Sequence, residues 1–450
     1  MLLRFSVANF LSFKERQTIE FYAGKAKLYK DHTIVNDRYK GAILKTGIVY
    51  GANASGKSNL IKALDFSRRI IVDGIEMIDT INKYFRLDEK SKNTPTVFQY
   101  EIDINGKYYD YGFVVELMKK QIVEEWLFEK TATSEKQIFY REQNKKIVNS
   151  LKPKNQNDKK RIEFYGDDLK SSELFIKELA TKEWEDESLN IFKDVYDWFS
   201  KRFSIVFPET KLGTLIFMEN YDKLQDYLKS FDTGIEEVKL IEKNFDEWLK
   251  TLHESIRINI SNSITILEKN SKTKMAISVD GNFYIIGKFS DLESDSLKVK
   301  EINFSHSNNS KLNELFELFD ESDGTRRLIE LIPLLHGLTE EGKTIVIDEV
   351  DRSLHPALTK KLFQLFYEQT KGKKSQLIVT THESTLLDLD LVRRDEIWFI
   401  ERQKDKSSKI YSLDQFEVRY DKKIDKAYFL GRYGGVPLFK NFSFLEEAEG

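Results

Sequence analysis

Three groups of residues, far apart in the sequence, have types and neighbours that can do chemistry together. Gly51-Ala52-Asn53-Ala54-Ser55-Gly56-Lys57-Ser58 fits G-x-x-x-x-G-K-[ST]. That spacing lets successive backbone N–H groups curl around phosphate oxygens, aided by the positive end of the helix that follows. In such a loop Lys57 reaches the β and γ phosphates of a nucleoside triphosphate, and the Ser58 hydroxyl ligates Mg2+. The apolar run Thr344-Ile345-Val346-Ile347 ends in Asp348-Glu349. An Asp at a strand's end, beside a phosphate loop, suits the outer shell of Mg2+. The adjacent Glu349 is placed to polarise an attacking water as general base. Thr380-Thr381-His382 closes another apolar run, where a histidine can contact the γ-phosphate and sense its presence. A fourth group, Ser322-Asp323-Gly324-Thr325, precedes a helical stretch and exposes N–H groups to an anion. Taken alone it is equally an ordinary Asp-Gly turn.

These groups need a scaffold, and the hydrophobic pattern supplies one. Residues 1–22 alternate apolar and polar, and 43–50 form a short apolar run ending at Gly51, so strands are expected there and a helix from Lys57 through Ile71. Asn105-Gly106 between two alternating runs within 97–116 predicts a hairpin with a tight two-residue turn. After residue 310 helices at 325–338 and 356–371 alternate with buried strands at 344–347, 376–380 and 396–400. That alternation argues for a mostly parallel sheet with helices on its faces. Between about 117 and 300 the texture changes. Residues 172–202 and 219–270 carry helical spacing, 143–161 reads as an exposed polar loop, and 274–300 returns to strand-like alternation around Asp280-Gly281. Heptads are not sustained, so no long coiled-coil arm is expected.

Composition narrows the class. The chain has 450 residues, of which 40% are hydrophobic and 32% charged, the balance of a folded protein with two or three units. Cysteine is absent, excluding disulfides and thiolate metal sites. No apolar run approaches the ~18 residues of a membrane span, and the N-terminus reads as a strand rather than a signal peptide; a cytoplasmic protein without a membrane partner is expected. The net charge of −3 argues against general wrapping of nucleic acid. One basic stretch (Lys145, Lys146, Lys152, Lys154, Lys159, Lys160, Arg161) is either a solvated loop or a DNA contact.

In this order, the motifs make the chain resemble the ABC-type ATPases of the SMC-like group. More narrowly it is similar to the bacterial abortive-infection ATPases, the family that includes the AbiLi and RloA proteins and the ATPase subunit of the PARIS defence system. The resemblance runs through Val7-Ala8-Asn9-Phe10-Leu11-Ser12-Phe13-Lys14, the 51–60 run, Glu321–Thr325, Ile347–Pro356, Thr381-His382-Glu383, Arg394–Phe399 and Gly431-Arg432-Tyr433-Gly434-Gly435-Val436-Pro437. It covers residues 1–115 and about 310–440.

The resemblance implies an ABC-type P-loop NTPase head of α/β class with a mixed sheet. Residues 1–116 and 301–450 would form its two lobes, interrupted by a mostly helical insertion at 117–300 with a short coiled-coil-like part. It implies nucleotide contacts from Gly51, Asn53, Ser55, Gly56, Lys57, Ser58 and Asn59 (Walker A), and a signature at Ser322, Gly324 and Thr325. A D-loop at Asp351–His355 includes Ser353. Ser58 and Asp348 would hold Mg2+, with Glu349, His382 and Lys57 catalytic. ATP would be hydrolysed between two copies that close face to face. The relatives act in defence against phage beside a separate toxic effector, here expected to be a Toprim-like nuclease because residues 400–450 are too short to hold one; a phage-encoded trigger is implied. The alternative is an SMC-like ATPase that clamps DNA in repair or chromosome maintenance. The pattern departs at Leu11, where the group often has a basic residue and where Lys14 is close by. Gln99 and Gln121 are the candidates for its Q-loop glutamine.

Overall fold

The alternating residues of the N-terminal strand pair within a seven-stranded antiparallel sheet. Its order is Val148–Asn149, Glu135–Glu142, Gln121–Lys130, Lys107–Glu116, Thr96–Ile104, Leu2–Ala8, Gln17–Glu20. The computed structural model describes residues 1–24, 28–36, 41–131, 133–210, 221–269, 274–288, 297–306, 314–340, 342–416 and 424–436. The expected hairpin closes at Asn105 (φ 52°) and Gly106 (φ 81°), the two positive φ angles that a type I′ turn demands.

The second sheet carries the chemistry-bearing motifs. Its order is Phe203–Val206, Thr344–Ile347, Gln376–Thr380, Thr46–Tyr50, Ile397–Arg402, Ser408–Ser412. Every neighbouring pair is parallel except the last, so the sheet is mixed. Its central strands are buried along their length, their middles apolar, because both faces are covered. The helix Lys57–Val72 buries Leu60, Ile61, Leu64, Phe66, Ile70 and Ile71 in one core shared with both sheets. Phe66 meets Phe10 and Phe98 at ring distances of 4.9 and 6.0 Å, each such pair adding about 0.5–1.5 kcal/mol beyond the area buried. Gln376 staples the two sheets together. Its amide donates to Leu2 O (2.9 Å) and Leu44 O (3.0 Å), and its Oε1 accepts from Leu2 N–H.

The chain divides into two compact units. The first comprises Met1–Phe207, Glu340–Val350 and Tyr367–Gly450; the second comprises Pro208–Thr339 and Asp351–Phe366. Both sheets above belong to the first unit, so Lys57 and Asp348 share one fold. The second unit is built on a sheet of order Ile235–Asn244, Lys298–His306, Asn282–Gly287, Lys274–Val279. Its Asp280-Gly281 turn again has two positive φ angles. The helix Asp323–Gly337 also lies in this unit.

Three expectations for the middle of the chain change. Residues 117–300 are mixed rather than mostly helical: Gln121–Lys130 and Glu135–Glu142 extend the antiparallel sheet, and Phe203–Val206 joins the phosphate-loop sheet. Phe-Ser-Ile-Val is too short to stand out against its helical flanks, and only its neighbour Thr344–Ile347 makes it a strand. Arg68 from the phosphate-loop helix secures this junction, donating from Nε to Phe199 O (2.8 Å) and Phe203 O (2.9 Å). Within 219–270, Ile235–Asn244 is a strand between the helices Tyr221–Ser230 and Phe245–Thr251. Within 143–161 a helix begins at Gln156, capped by Asn155, whose side chain accepts from Asp158 N–H. No helix among the described residues is long and apolar enough to cross a membrane.

Candidate functional site

Gly51–Ser58 links the strand Thr46–Tyr50 to the helix Lys57–Val72, and its backbone is bent where a phosphate cradle must be. Ala54 (φ 61°) and Gly56 (φ 116°) are both left-handed, the alternation that turns successive N–H groups inward. Glycine is required at two points. A Cβ on Gly51 would lie 2.4 Å from both Ile400 O and Ser55 Oγ, and one on Gly56 would lie 2.2 Å from Ser408 Oγ. No side chain caps the start of the helix, so its first-turn N–H groups face the loop unclaimed by a capping oxygen. Lys57 Nζ folds back on the loop, donating to Gly51 O (2.7 Å) and Ala52 O (3.3 Å). Ser55 is buried, yet its Oγ has no hydrogen-bond partner. A buried hydroxyl left this way is costly unless an acceptor arrives. The loop therefore fits a polyphosphate.

The acidic pair sits two strands away on the same edge. Ile347 pairs with Val379 and Val379 with Ile48, so these three residues share one rung of the sheet. Just beyond that rung come Asp348-Glu349, Thr381-His382 and Gly51, side by side at the C-terminal ends of parallel strands, where ligands of such sheets bind. Asp348 is buried, and its Oδ1 accepts from Thr380 Oγ1 at 2.5 Å. The same Oγ1 accepts from Glu349 N–H at 2.8 Å. Thr380 thus fixes both acidic residues with one hydroxyl, and Asp348 N–H is held by Val206 O at 2.9 Å. Glu349 takes a left-handed backbone, φ 50°, which a non-glycine residue adopts only where its surroundings enforce it. Glu349 is half-exposed at this turn. His382 is exposed at the end of its strand, while Thr381 N–H anchors to Val49 O at 3.1 Å.

Residues that the sequence reading passed over hold the loop in place. Ser408 Oγ donates to Ser55 O and lies 2.8 Å from Ser12 Oγ, and Ser408 N–H donates to Ser12 O at 2.8 Å. A clue to Ser12 was its place in the Asn9–Lys14 run, but lone serines carry no spacing signal. Asn9 anchors that run, its side-chain amide donating to Ser91 O and Thr94 O while its Oδ1 accepts from Phe85 N–H. Lys14 does not stand in for a basic residue at Leu11, because it is paired with Asp88 at 2.8 Å. Both glutamine candidates are engaged within the antiparallel sheet: Gln99 donates to Asp110 (2.7 Å), and Gln121 accepts from Gln143 (3.2 Å).

The signature and D-loop residues belong to the second unit. Ser322 caps the helix Asp323–Gly337, its Oγ accepting from Thr325 N–H at 3.1 Å and lying 2.9 Å from Thr325 Oγ1. Gly324 packs under the D-loop, since a Cβ there would be 3.0 Å from Ser353 O. Ser353 is itself left-handed, φ 62°. The structure thus gathers Gly51–Asn59, Asp348, Glu349 and His382 in one unit, and Ser322, Gly324, Thr325 and Ser353 in the other.

No curated protein matches the chain. Among solved structures it is similar to the SmcHead bound to the C-winged helix domain of ScpA, with 13% identity, TM-score 0.40 and coverage of 92% of this chain and 98% of that one. It is also similar to the SMC head domain from Thermotoga maritima, with 14% identity, TM-score 0.35 and coverage of 93% and 99%. At such scores these likenesses add nothing to the fold described above. A family model carries more weight. The one described as "AAA domain, putative AbiEii toxin, Type IV TA system" matches residues 48–388, a span that opens inside the strand before the phosphate loop and closes just past His382. Most of the chain, including every motif set on that sheet edge, falls within the match, and the protein belongs to this family of P-loop ATPase domains.

Proposed function

We propose that the protein binds and hydrolyses ATP as an ABC-type head, and that two copies must close around nucleotide for turnover. The observation that supports this best is the shared sheet edge, where Gly51, Asp348-Glu349 and His382 follow adjacent parallel strands. The loop N–H groups and Lys57 bind the phosphates and neutralise the charge that develops on them. Ser58 and Asp348 would hold Mg2+, with Asp348 Oδ1 already steadied by Thr380. When held there, the ion would help neutralise the charge on the phosphate oxygens. Glu349 orients and polarises the attacking water, and His382 contacts the γ-phosphate. Ser322, Gly324 and Thr325 of one protomer, with Ser353, complete the site of a second protomer. Glu349→Gln should lower hydrolysis by about 10²–10⁴-fold while retaining ATP and accumulating dimer. A hydrolysis rate equal to that of the unaltered protein removes Glu349 from this role.

The biological reading is anti-phage defence of the abortive-infection kind, with resemblance to the AbiLi, RloA and PARIS ATPases. ATP occupancy of the dimer would restrain or activate a separate toxic effector, a Toprim-like nuclease by expectation, once a phage-encoded trigger appears. The family description, with its toxin–antitoxin wording, supports this direction. Cells carrying the gene with its neighbours should resist phage, and Lys57→Ala should abolish that resistance; protection that survives the substitution defeats the reading. The rival, an SMC-like DNA clamp, draws on the basic stretch 145–161. Two of those charges are engaged internally: Lys145 pairs with Glu142 at 2.7 Å, and Arg161 donates to Glu183 O while lying over the Trp184 ring. Salt-dependent DNA binding by the purified protein would revive it.

A further inference from the structure

One motif of the sequence remains without a role, the glycine-rich run Gly431-Arg432-Tyr433-Gly434-Gly435. It follows the helix Ile424–Phe429, and all three of its glycines are left-handed, with φ of 73°, 68° and 67°. Two buried tyrosines tie it down. Tyr411 OH donates to Tyr433 O at 2.7 Å, and Tyr428 OH donates to Gly435 O at 3.1 Å. The Tyr428 ring lies 5.7 Å from that of Phe399 and 5.9 Å from that of Tyr50, the residue just before the phosphate loop. The run ends against the loop itself: a Cβ on Gly435 would stand 3.7 Å from Gly51 Cα and 3.6 Å from the Phe399 ring. Gly51 is also closed in by Ile400 O and Ser55 Oγ. It is thus confined by the sheet, by its own loop and by this distant segment.

We propose that Tyr433–Gly435 is a positioning element of the nucleotide site, a backbone wedge that fixes Gly51 and so keeps the N–H groups of the loop converged. The inference deepens the reading of Gly51–Ser58 as a phosphate loop and rests on it. A phosphate cradle works only if its donors point at one centre before the ligand arrives. Glycine at 435 gives the closest approach that still leaves Gly51 unstrained. An alanine Cβ would make ordinary contact there, whereas the branched methyls of valine would enter the space of Gly51.

The test compares Gly435→Val, Gly435→Ala and Tyr428→Phe with Gly372→Val. Gly372 shares the left-handed backbone (φ 72°) with open space around it, so it reproduces the strain alone. Binding of a fluorescent ATP analogue and the melting temperature are measured for each. Gly435→Val should weaken ATP binding by about tenfold or more, with Gly435→Ala and Gly372→Val within about threefold of the parent even where they melt earlier. Tyr428→Phe, which keeps the ring and removes only the tether, should weaken ATP by about threefold while lowering the melting temperature by no more than a few degrees. Equal ATP affinity in Gly435→Val and Gly372→Val overturns the wedge, as does parent-like affinity in both Gly435→Val and Tyr428→Phe. Lys57→Ala separates this failure from the broader one: if it too binds like the parent, the phosphate-loop reading itself is at fault.

Discussion

Two helices in this protein begin in opposite ways. The helix Lys57–Val72 starts from a left-handed glycine with no side-chain cap, beside a buried serine hydroxyl that has no partner. The helix Asp323–Gly337 starts from Ser322, whose hydroxyl already takes the N–H of Thr325. The first is unsatisfied as it stands and gains most from a bound anion. The second is complete, and an anion there must share or displace Ser322 Oγ. This difference fits the roles proposed for them: one N-terminus binds nucleotide by itself, and the other engages only when a second copy presents a phosphate.

Lys57→Ala is the severest way to break the contrast. Removing the ammonium that folds onto the Gly51–Gly56 loop should weaken ATP binding by about 10³-fold, roughly 4 kcal/mol, as read by equilibrium binding; an unchanged affinity would remove the distinction between the two helix starts. Ser322→Arg comes next. It should leave ATP affinity within about twofold while turnover drops by about 10²-fold and the ATP-bound protein stays monomeric in sedimentation. Normal turnover would make the second helix start a plain cap. The smallest effect sharpens that point: Ser322→Ala should lower unfolding stability by about 1 kcal/mol, the ordinary worth of an N-cap, with nucleotide affinity untouched.

The sequence disclosed the ends of the strands better than the strands' company. The places of Gly51–Ser58, Asp348-Glu349 and His382 at strand ends were legible because each follows a short apolar run directly, and that signal is local. Asn105-Gly106 and Asp280-Gly281 were legible for a similar reason, the φ angles of a tight turn. Phe203–Val206 was not, since four residues acquire strand character only by pairing with Thr344–Ile347. Ile235–Asn244 escaped because its charges mimic a solvated helix while Lys298–His306 supplies the pairing. The bracing roles of Thr380, Ser12 and Ser408 escaped because a hydroxyl that braces a loop has no spacing rule; each does its work through a residue remote in sequence. Leu11 and Lys14 teach the converse, as proximity in sequence pointed to a phosphate contact that the pairing with Asp88 uses elsewhere.

The stapling of Leu2 and Leu44 by Gln376 spans separations of 374 and 332 residues. During synthesis the N-terminal strands therefore leave the ribosome long before the partners that sheathe them. Until that later stretch emerges, the apolar flanks of Thr46–Tyr50 lack their permanent neighbours and invite association with other nascent chains. Products truncated before Gln376 should consequently aggregate or be captured by chaperones rather than bind ATP.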